Sequence, residues 1–180
     1  MSSEQLMTRR IAFIERIVRN SEDIGKTKIQ KILYFLQESL DVPLNFRFRV
    51  HYFGPYSDGL DDALSLTKSL GRIDIQPDRD GFGYHITPVA GLSDAYWQEY
   101  DISEDPEIET SVENIDSAIE VLSNLAISQI ELYATIHFID GPKGRKPKEQ
   151  TIETVGKLKP KFAASQIEDA YDTLKQVNLI

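Results

Sequence analysis

Apolar residues recur at helical spacing through the first part of the chain. Met7, Ile11, Ile14 and Val18 fall in phase over residues 4–19, and "NSEDIG" after Arg19 supplies a stop. A second stripe of Ile29, Ile32, Leu33, Leu36 and Leu40 predicts a helix over 26–40, closed by Pro43. The period then changes to two. In "NFRFRVHYF", Phe46, Phe48, Val50 and Tyr52 share one face while Arg47, Arg49 and His51 share the other, as in a half-buried strand. In "GPYS", Pro55 fixes φ for a turn and Ser57 is placed to cap a third helix. Leu60, Ala63, Leu64 and Thr67 form the inner face of that helix, and Leu70–Gly71 its stop. "RIDIQPD" and "FGYHITP" then read as two strands joined by "DRDG", in which Gly81 is able to take a positive φ.

Residues 96–111, "YWQEYDISEDPEIETS", contain no basic residue and read as an acidic linker. Helical spacing returns with Val112, Ile115, Ile119 and Leu122, and again with Ile130, Tyr133, Ala134 and His137. A shorter helix is expected near 151–158. A last one, over 164–178, places Ile167, Ala170, Tyr171 and Leu174 inward. "GKLKPKF" turns the chain between these two, a helix-turn-helix-like arrangement with no evident wing. The expected fold class is α+β, mostly α. A winged helix-turn-helix domain occupies 1–92, an acidic linker 93–111, and a helical domain 112–180.

Composition narrows the class. The chain has 180 residues, 41% hydrophobic and 27% charged, as in an ordinary soluble globular protein. No apolar run approaches the ~20 residues of a membrane span, and "MSSEQLMTRRIAF" lacks the layout of a signal peptide. A cytoplasmic protein is the simplest expectation. There is no cysteine, which excludes disulfides and thiolate sites. The net charge of −9 is unevenly spread. Residues 143–161 hold seven basic and two acidic side chains, a balance of +5, so the rest of the chain carries −14. Such a separation points to charge-directed partners or to a solvated face.

Catalytic chemistry finds little support. The three histidines are His51, His85 and His137. The first two would meet only if the 46–52 strand joined the sheet of the wing. "DRDG" lacks the later ligands of a calcium loop. There is no G-x-S-x-G elbow and no glycine-rich phosphate loop. The expectation is a protein that is not an enzyme, with no metal and no cofactor.

"KTKIQKILYFLQ" followed by "YFGPYSDGL", "LG.I" and "GYHITP" resembles the YwgA-type proteins of bacteria and archaea, and so does the C-terminal "IELYATIHFI…KLKPKF…IEDAYDTLKQVNLI". More distantly, the helix–Gly-Pro–helix organisation is similar to the SocA-like antitoxins. The resemblance implies a winged-helix fold and a regulatory role, with no catalytic residues. Its SocA side implies a toxin or a protease adaptor as partner.

DNA reading meets an electrostatic obstacle. A recognition helix presents its N-terminal residues to base edges, and here that end carries Asp58, Asp61 and Asp62. Lys26, Lys28, Lys31, Lys68, Arg72 and Arg79 oppose them, joined on the acidic side by Asp74, Asp78 and Asp80. The three carboxylates also suit the positive end of the helix dipole. Phe53, Tyr56, Asp58, Asp61 and Asp62 are therefore candidates for binding a protein partner. Lys143, Arg145, Lys146, Lys148, Lys157, Lys159 and Lys161 are candidates for nucleic acid or an acidic partner. Tyr52 and Tyr56 are expected to pin the turn to the core, leaving Phe53 exposed. The expected function is a non-enzymatic interaction or regulatory module of antitoxin or defence type. The alternatives are a DNA-binding transcriptional regulator using the basic C-terminal half, and an accessory subunit of a nucleic-acid-processing complex. A homodimer is compatible with either.

Overall fold

Helix α1 (Ser3–Arg19) begins at a capping box, in which Gln5 N–H donates to Ser2 Oγ at 3.2 Å and Ser2 N–H donates to Gln5 Oε1 at 2.8 Å. The computed structural model describes residues 2–22, 24–78, 83–89, 100–141 and 146–180. Helix α2 (Lys26–Ser39) is buried at every position from Ile29 to Leu36, which places it centrally rather than on a surface. Phe13, Ile14 and Ile17 of α1 join Ile29, Ile32, Leu33 and Leu36 of α2 and Leu60 and Leu64 of helix α3 (Asp58–Ser69) in the main core.

A three-stranded antiparallel sheet closes one side of that core. Its strands are β1 (Ile24–Gly25), β4 (Ile73–Pro77) and β5 (Tyr84–Pro88), in the order β1-β5-β4. Register sets Ile24 beside Ile86 and Ile86 beside Ile75, a row of three buried β-branched residues facing the helices. Gly71, at φ 69°, ends α3 as expected. Its N–H bonds to Lys68 O while Arg72 N–H reaches Thr67 O, the pair of bonds that satisfies the last carbonyls of a helix. The "DRDG" turn with Gly81 and Arg79 lies outside the described residues.

The aromatic segment departs from expectation. Only β2 (Arg49–His51) is extended and paired, and its partner is β3 (Gly54–Tyr56) in a separate two-stranded sheet. Two causes shorten the strand. Asn45 takes φ 52°, and the Gln37 side chain occupies both backbone groups of Phe46, donating to its carbonyl at 3.0 Å and accepting from its N–H at 2.7 Å. The chain reverses at Tyr52–Phe53 rather than at the Gly-Pro pair, and Pro55 sits in β3 opposite Val50. His51 and His85 consequently lie in different sheets.

The C-terminal part comprises α4 (Val112–Asn124), α5 (Ile127–Asp140), α6 (Lys148–Leu158) and α7 (Ala164–Gln176). Beyond its exposed first turn, helix α5 is covered on every face. Ile130 and Ala134 enter the main core, while Leu132, Ile136 and Ile139 meet Val155, Ile167 and Leu174 in a second cluster. Of the expected linker, residues 100–111 are described. They include a 3₁₀ turn, Ile102–Glu104, with Ile102 buried in the main core. No helix among the described residues is long and apolar enough to cross a membrane.

Candidate functional site

Helix α2 fastens the 46–57 segment along its length. Gln37 holds Phe46, as above. Gln30, two turns earlier on the same face, holds Ser57 in the same manner, donating to its carbonyl and accepting from its N–H at 3.0 Å each. Ser57 is 1% exposed, and its hydroxyl makes no capping bond to α3. The cap expected there is replaced by a backbone clamp. Between the two glutamines Tyr34 packs edge-on against Phe48, with ring centroids 5.1 Å apart.

Beneath the β2–β3 hairpin lies a cluster of buried charge. Lys31, 2% exposed, donates from Nζ to Pro55 O at 2.9 Å. Lys159, also 2% exposed, donates to Glu131 Oε1 at 2.9 Å and to the carbonyl of Tyr52. Lys161 donates to Glu131 Oε2 at 2.8 Å. Burial pushes the Lys31 ammonium down to about 8, against the attraction of Glu131. It pushes Lys159 below the usual lysine range as well, opposed by its bond to Glu131. Gly54 is required where it is. Its φ is 91°, and a Cβ there would stand 2.9 Å from Thr135 Oγ1 and 3.3 Å from Lys31 Cε. The hairpin backbone is thus bonded from below at Tyr52 and Pro55 and packed without clearance at Gly54.

Its tip faces outward. Tyr52 is 73% exposed and Phe53 44%, with rings edge to face at 4.8 Å. Tyr52 therefore does not pin the turn through its ring; it is held by its carbonyl. The Lys161 ammonium stands 5.9 Å from the Phe53 ring centre and 5.1 Å from that of Phe162. Tyr56 is half-buried, with the Arg49 guanidinium 5.7 Å from its ring centre.

The remaining expected site residues fall into two groups. Asp58 accepts from both Arg49 Nη2 and Nε in an exposed pair, Asp61 accepts from Lys26 Nζ at 3.0 Å, and Asp62 is exposed. These acids surround the start of α3 and adjoin the hairpin through Arg49. The basic segment is dispersed. Lys148 pairs with Asp172 and Glu168, Lys157 with Glu153, and Lys161 and Lys159 share Glu131. Burial removes Lys159 from any surface a polyanion reaches. Lys146 is exposed, while Lys143 and Arg145 lie outside the described residues. The cations expected to serve the N-terminal part are likewise engaged. Lys28 donates to Ser123 O, Lys68 to Ile75 O, and Arg72 to Glu15.

Sequence reasoning missed Glu131 and set Lys31 among the cations opposing the α3 acids, where the structure buries it. A signal for the first was present, since Glu131 interrupts "QIELYATIHFI", a run apolar on every helical face. Lys31 carried no such mark, being off the α2 stripe and as plausible in solvent.

His137 is the one buried imidazole among the described residues. Its Nδ1 lies 2.7 Å from Tyr34 Oη and its Nε2 3.4 Å from Ser39 Oγ. The cavity beside it measures about 470 Å³ and is lined by Ser39, Lys175 and Leu179 among others. Burial lowers the imidazole pKa and raises that of the Tyr34 phenol, so both are neutral near pH 7. A nucleophilic serine needs a histidine oriented by an acid, and the group on the far ring nitrogen is this phenol. The described residues hold no group of three His, Cys, Asp or Glu able to bind a metal.

No protein-family model matches the chain. It is similar to the uncharacterized protein YwgA of Bacillus subtilis (strain 168), with 21% identity over 162 residues, 89% of this chain and 91% of that protein. The likeness supports a YwgA-like family and spans both the hairpin and the C-terminal helices that supply Glu131 and Lys159.

Proposed function

We propose that this protein is a non-enzymatic interaction module that binds a protein partner through the β2–β3 hairpin and the adjoining start of α3. The observation that carries the reading is the exposed Tyr52–Phe53 pair on a hairpin whose backbone is bonded to buried lysines. Aromatic side chains anchor interfaces because they bury much area while ordering few torsions. A tip already rigid loses little further freedom on binding. Partners of the antitoxin or defence type, and a cytoplasmic setting, belong to the same reading.

The scaffold reads as a winged helix. The order of α1, β1, α2, α3 and the β4–β5 hairpin, with sheet order β1-β5-β4, supports that reading, in which α3 is the recognition helix and the hairpin the wing. The charge argues for protein over DNA. The start of α3 is ringed by Asp58, Asp61 and Asp62, and the lysines of the C-terminal segment that the structure describes are largely matched to acids. Among the described residues, few cations remain to displace counterions from a phosphate backbone.

The test is a photo-crosslinking residue placed at position 53 in the source cells, with position 121 as control, because Val121 is 63% exposed on α4. A discrete protein adduct from position 53 alone is expected. Adducts equal at both positions, or adducts to nucleic acid, reject the reading.

A further inference from the structure

The buried cluster under the hairpin is not neutral. Lys159 and Lys161 pair with one carboxylate, Glu131, and Lys31 lies within its attraction, which leaves two positive charges in excess when the lysines are protonated. Carbonyl oxygens of Tyr52 and Pro55 satisfy hydrogen bonds there but carry no charge. Above the cluster, Lys161 is 46% exposed with one ammonium proton directed to Glu131, and it stands between Phe53 and Phe162. Arg47 and His51 are exposed on the same segment. In a chain of net charge −9, this positive excess coincides with the exposed aromatic pair. A low-dielectric surround carries the field of buried charges outward with less screening than water would impose.

We propose that the Tyr52–Phe53 tip, with Lys161 and Phe162, receives a short acidic segment of a partner protein. One apolar side chain of that segment lies on the aromatic rings, and flanking carboxylates meet the Lys161 ammonium. The proposal rests on the reading of the tip as a protein-binding anchor and names the chemistry of what it binds. Acidic segments are repelled by most of this protein's surface and steered to the tip. A nucleic acid fits less well. Its backbone needs a track of several cations, whereas Asp58 holds Arg49 and Asp62 lies exposed close by on α3.

The experiment is selection from a random short-peptide display library on the full chain, followed by affinity measurement of the enriched peptides by fluorescence anisotropy. Enriched peptides should combine Asp or Glu with an aliphatic or aromatic residue. Phe53→Ser should weaken their binding by roughly tenfold or more, and Lys161→Gln by about fivefold. Lys161→Gln touches the Glu131 site and could perturb folding. The Phe53 ring makes no hydrogen bond to the cluster and touches it only through the exposed Lys161 ammonium, so Phe53→Ser keeps the test decisive, with an unchanged melting temperature as its control. Enriched peptides that depend on Phe53 but show no acidic bias overturn this proposal and leave the protein-binding reading standing. The absence of any Phe53-dependent peptide overturns both. Tighter binding of a single-stranded oligothymidylate at the tip assigns the surface to nucleic acid instead. Concentration-dependent self-association abolished by Phe53→Ser assigns it to a second copy of the chain.

Discussion

Among the described residues, buried cations gather at two sites, and these are built with opposite imbalance. At one, Arg9, 3% exposed, donates to Tyr100 Oη at 3.0 Å, Asp105 Oδ2 at 2.7 Å, Pro43 O at 2.9 Å and Glu107 Oε2 at 3.0 Å. A single guanidinium meets two carboxylates. At the other, Lys159 and Lys161 bond to Glu131, and Lys31, bonded to the Pro55 carbonyl, lies within its attraction. The planar five-donor fork of arginine suits the first task, since several acceptors converge on one rigid group that never loses its charge. Lysine suits the second, because Lys31 and Lys159 reach different carbonyls, those of Pro55 and Tyr52, while Lys161 closes on the second oxygen of Glu131. The anionic excess draws an acidic stretch, residues 100–107, inward onto α1. The cationic excess lies beneath an exposed aromatic tip. A strap held by Arg9 has solvent on its outer side and can rehydrate when released. The Glu131 site, enclosed by α2, α5 and the hairpin, cannot.

The largest expected effect follows from that difference. Glu131→Gln leaves Lys159 and Lys31 buried without their shared counter-charge, and removal of one partner from a buried ionic group costs roughly 3–5 kcal/mol. Urea unfolding should record that loss, with a fall in melting temperature on the order of 10 °C. A loss below about 1 kcal/mol would break the comparison, because the lysines would then be tolerated uncompensated. Arg9→Ala should cost less, roughly 2–3 kcal/mol, since Asp105 and Glu107 regain water as the strap lifts. Hydrogen exchange should quicken at residues 100–110 before it does elsewhere. Arg9→Lys should restore only part of the stability, one ammonium being unable to serve four acceptors in one plane.

The lysine site also predicts a pH dependence. The native pKa of Lys31 is lowered from 10.5 to about 8, so between those values the unfolded chain binds the extra proton. Stability from this group therefore rises as pH increases from about 8 toward 10.5, by at most about 3 kcal/mol. Tyr34 acts oppositely above pH 10, because burial raises its pKa and the unfolded chain ionises first. Guanidinium unfolding between pH 7.5 and 10 measures the net slope. Lys31→Met should flatten it, and an unchanged slope would assign the effect to Lys159.

The helices were legible because their apolar positions repeat at the period the backbone imposes. Ile29, Ile32, Leu33 and Leu36 are all fully buried as that spacing requires. The hairpin and the ionic cluster were not legible, for a different reason in each. Alternation of Phe46, Phe48, Val50 and Tyr52 is satisfied equally by a strand and by a segment clamped to glutamines, since both leave side chains on alternate sides. The side chain of Tyr52 points outward because its carbonyl, not its ring, is bound. Lys159 and Lys161 differ by two positions in one cationic run, yet one is 2% exposed and the other on the surface. Both donate to Glu131. What distinguishes them is the carbonyl of Tyr52, 107 residues earlier, which Lys159 alone reaches, and no local pattern encodes a partner at that distance.

The smallest effect is expected where the acids of α3 meet solvent. Arg49 and Asp58 are 60% and 68% exposed, and such a pair contributes roughly 0.2–1 kcal/mol. Asp58 also lies in the first turn of α3, where the dipole adds about 0.3–1 kcal/mol at low salt. Asp58→Asn should therefore lower stability by roughly 0.5–2 kcal/mol at low ionic strength and by less in molar salt. Its effect on binding has a definite sign. Removing the carboxylate releases Arg49 beside the aromatic tip, so capture of an acidic peptide should strengthen, by about twofold on the scale of an exposed charge. Asp62→Asn, which leaves Arg49 paired, should change it less. If Asp58→Asn instead weakens capture while the melting temperature holds, Asp58 itself contacts a cation of the partner. The start of α3 would then be the principal contact and the tip its neighbour.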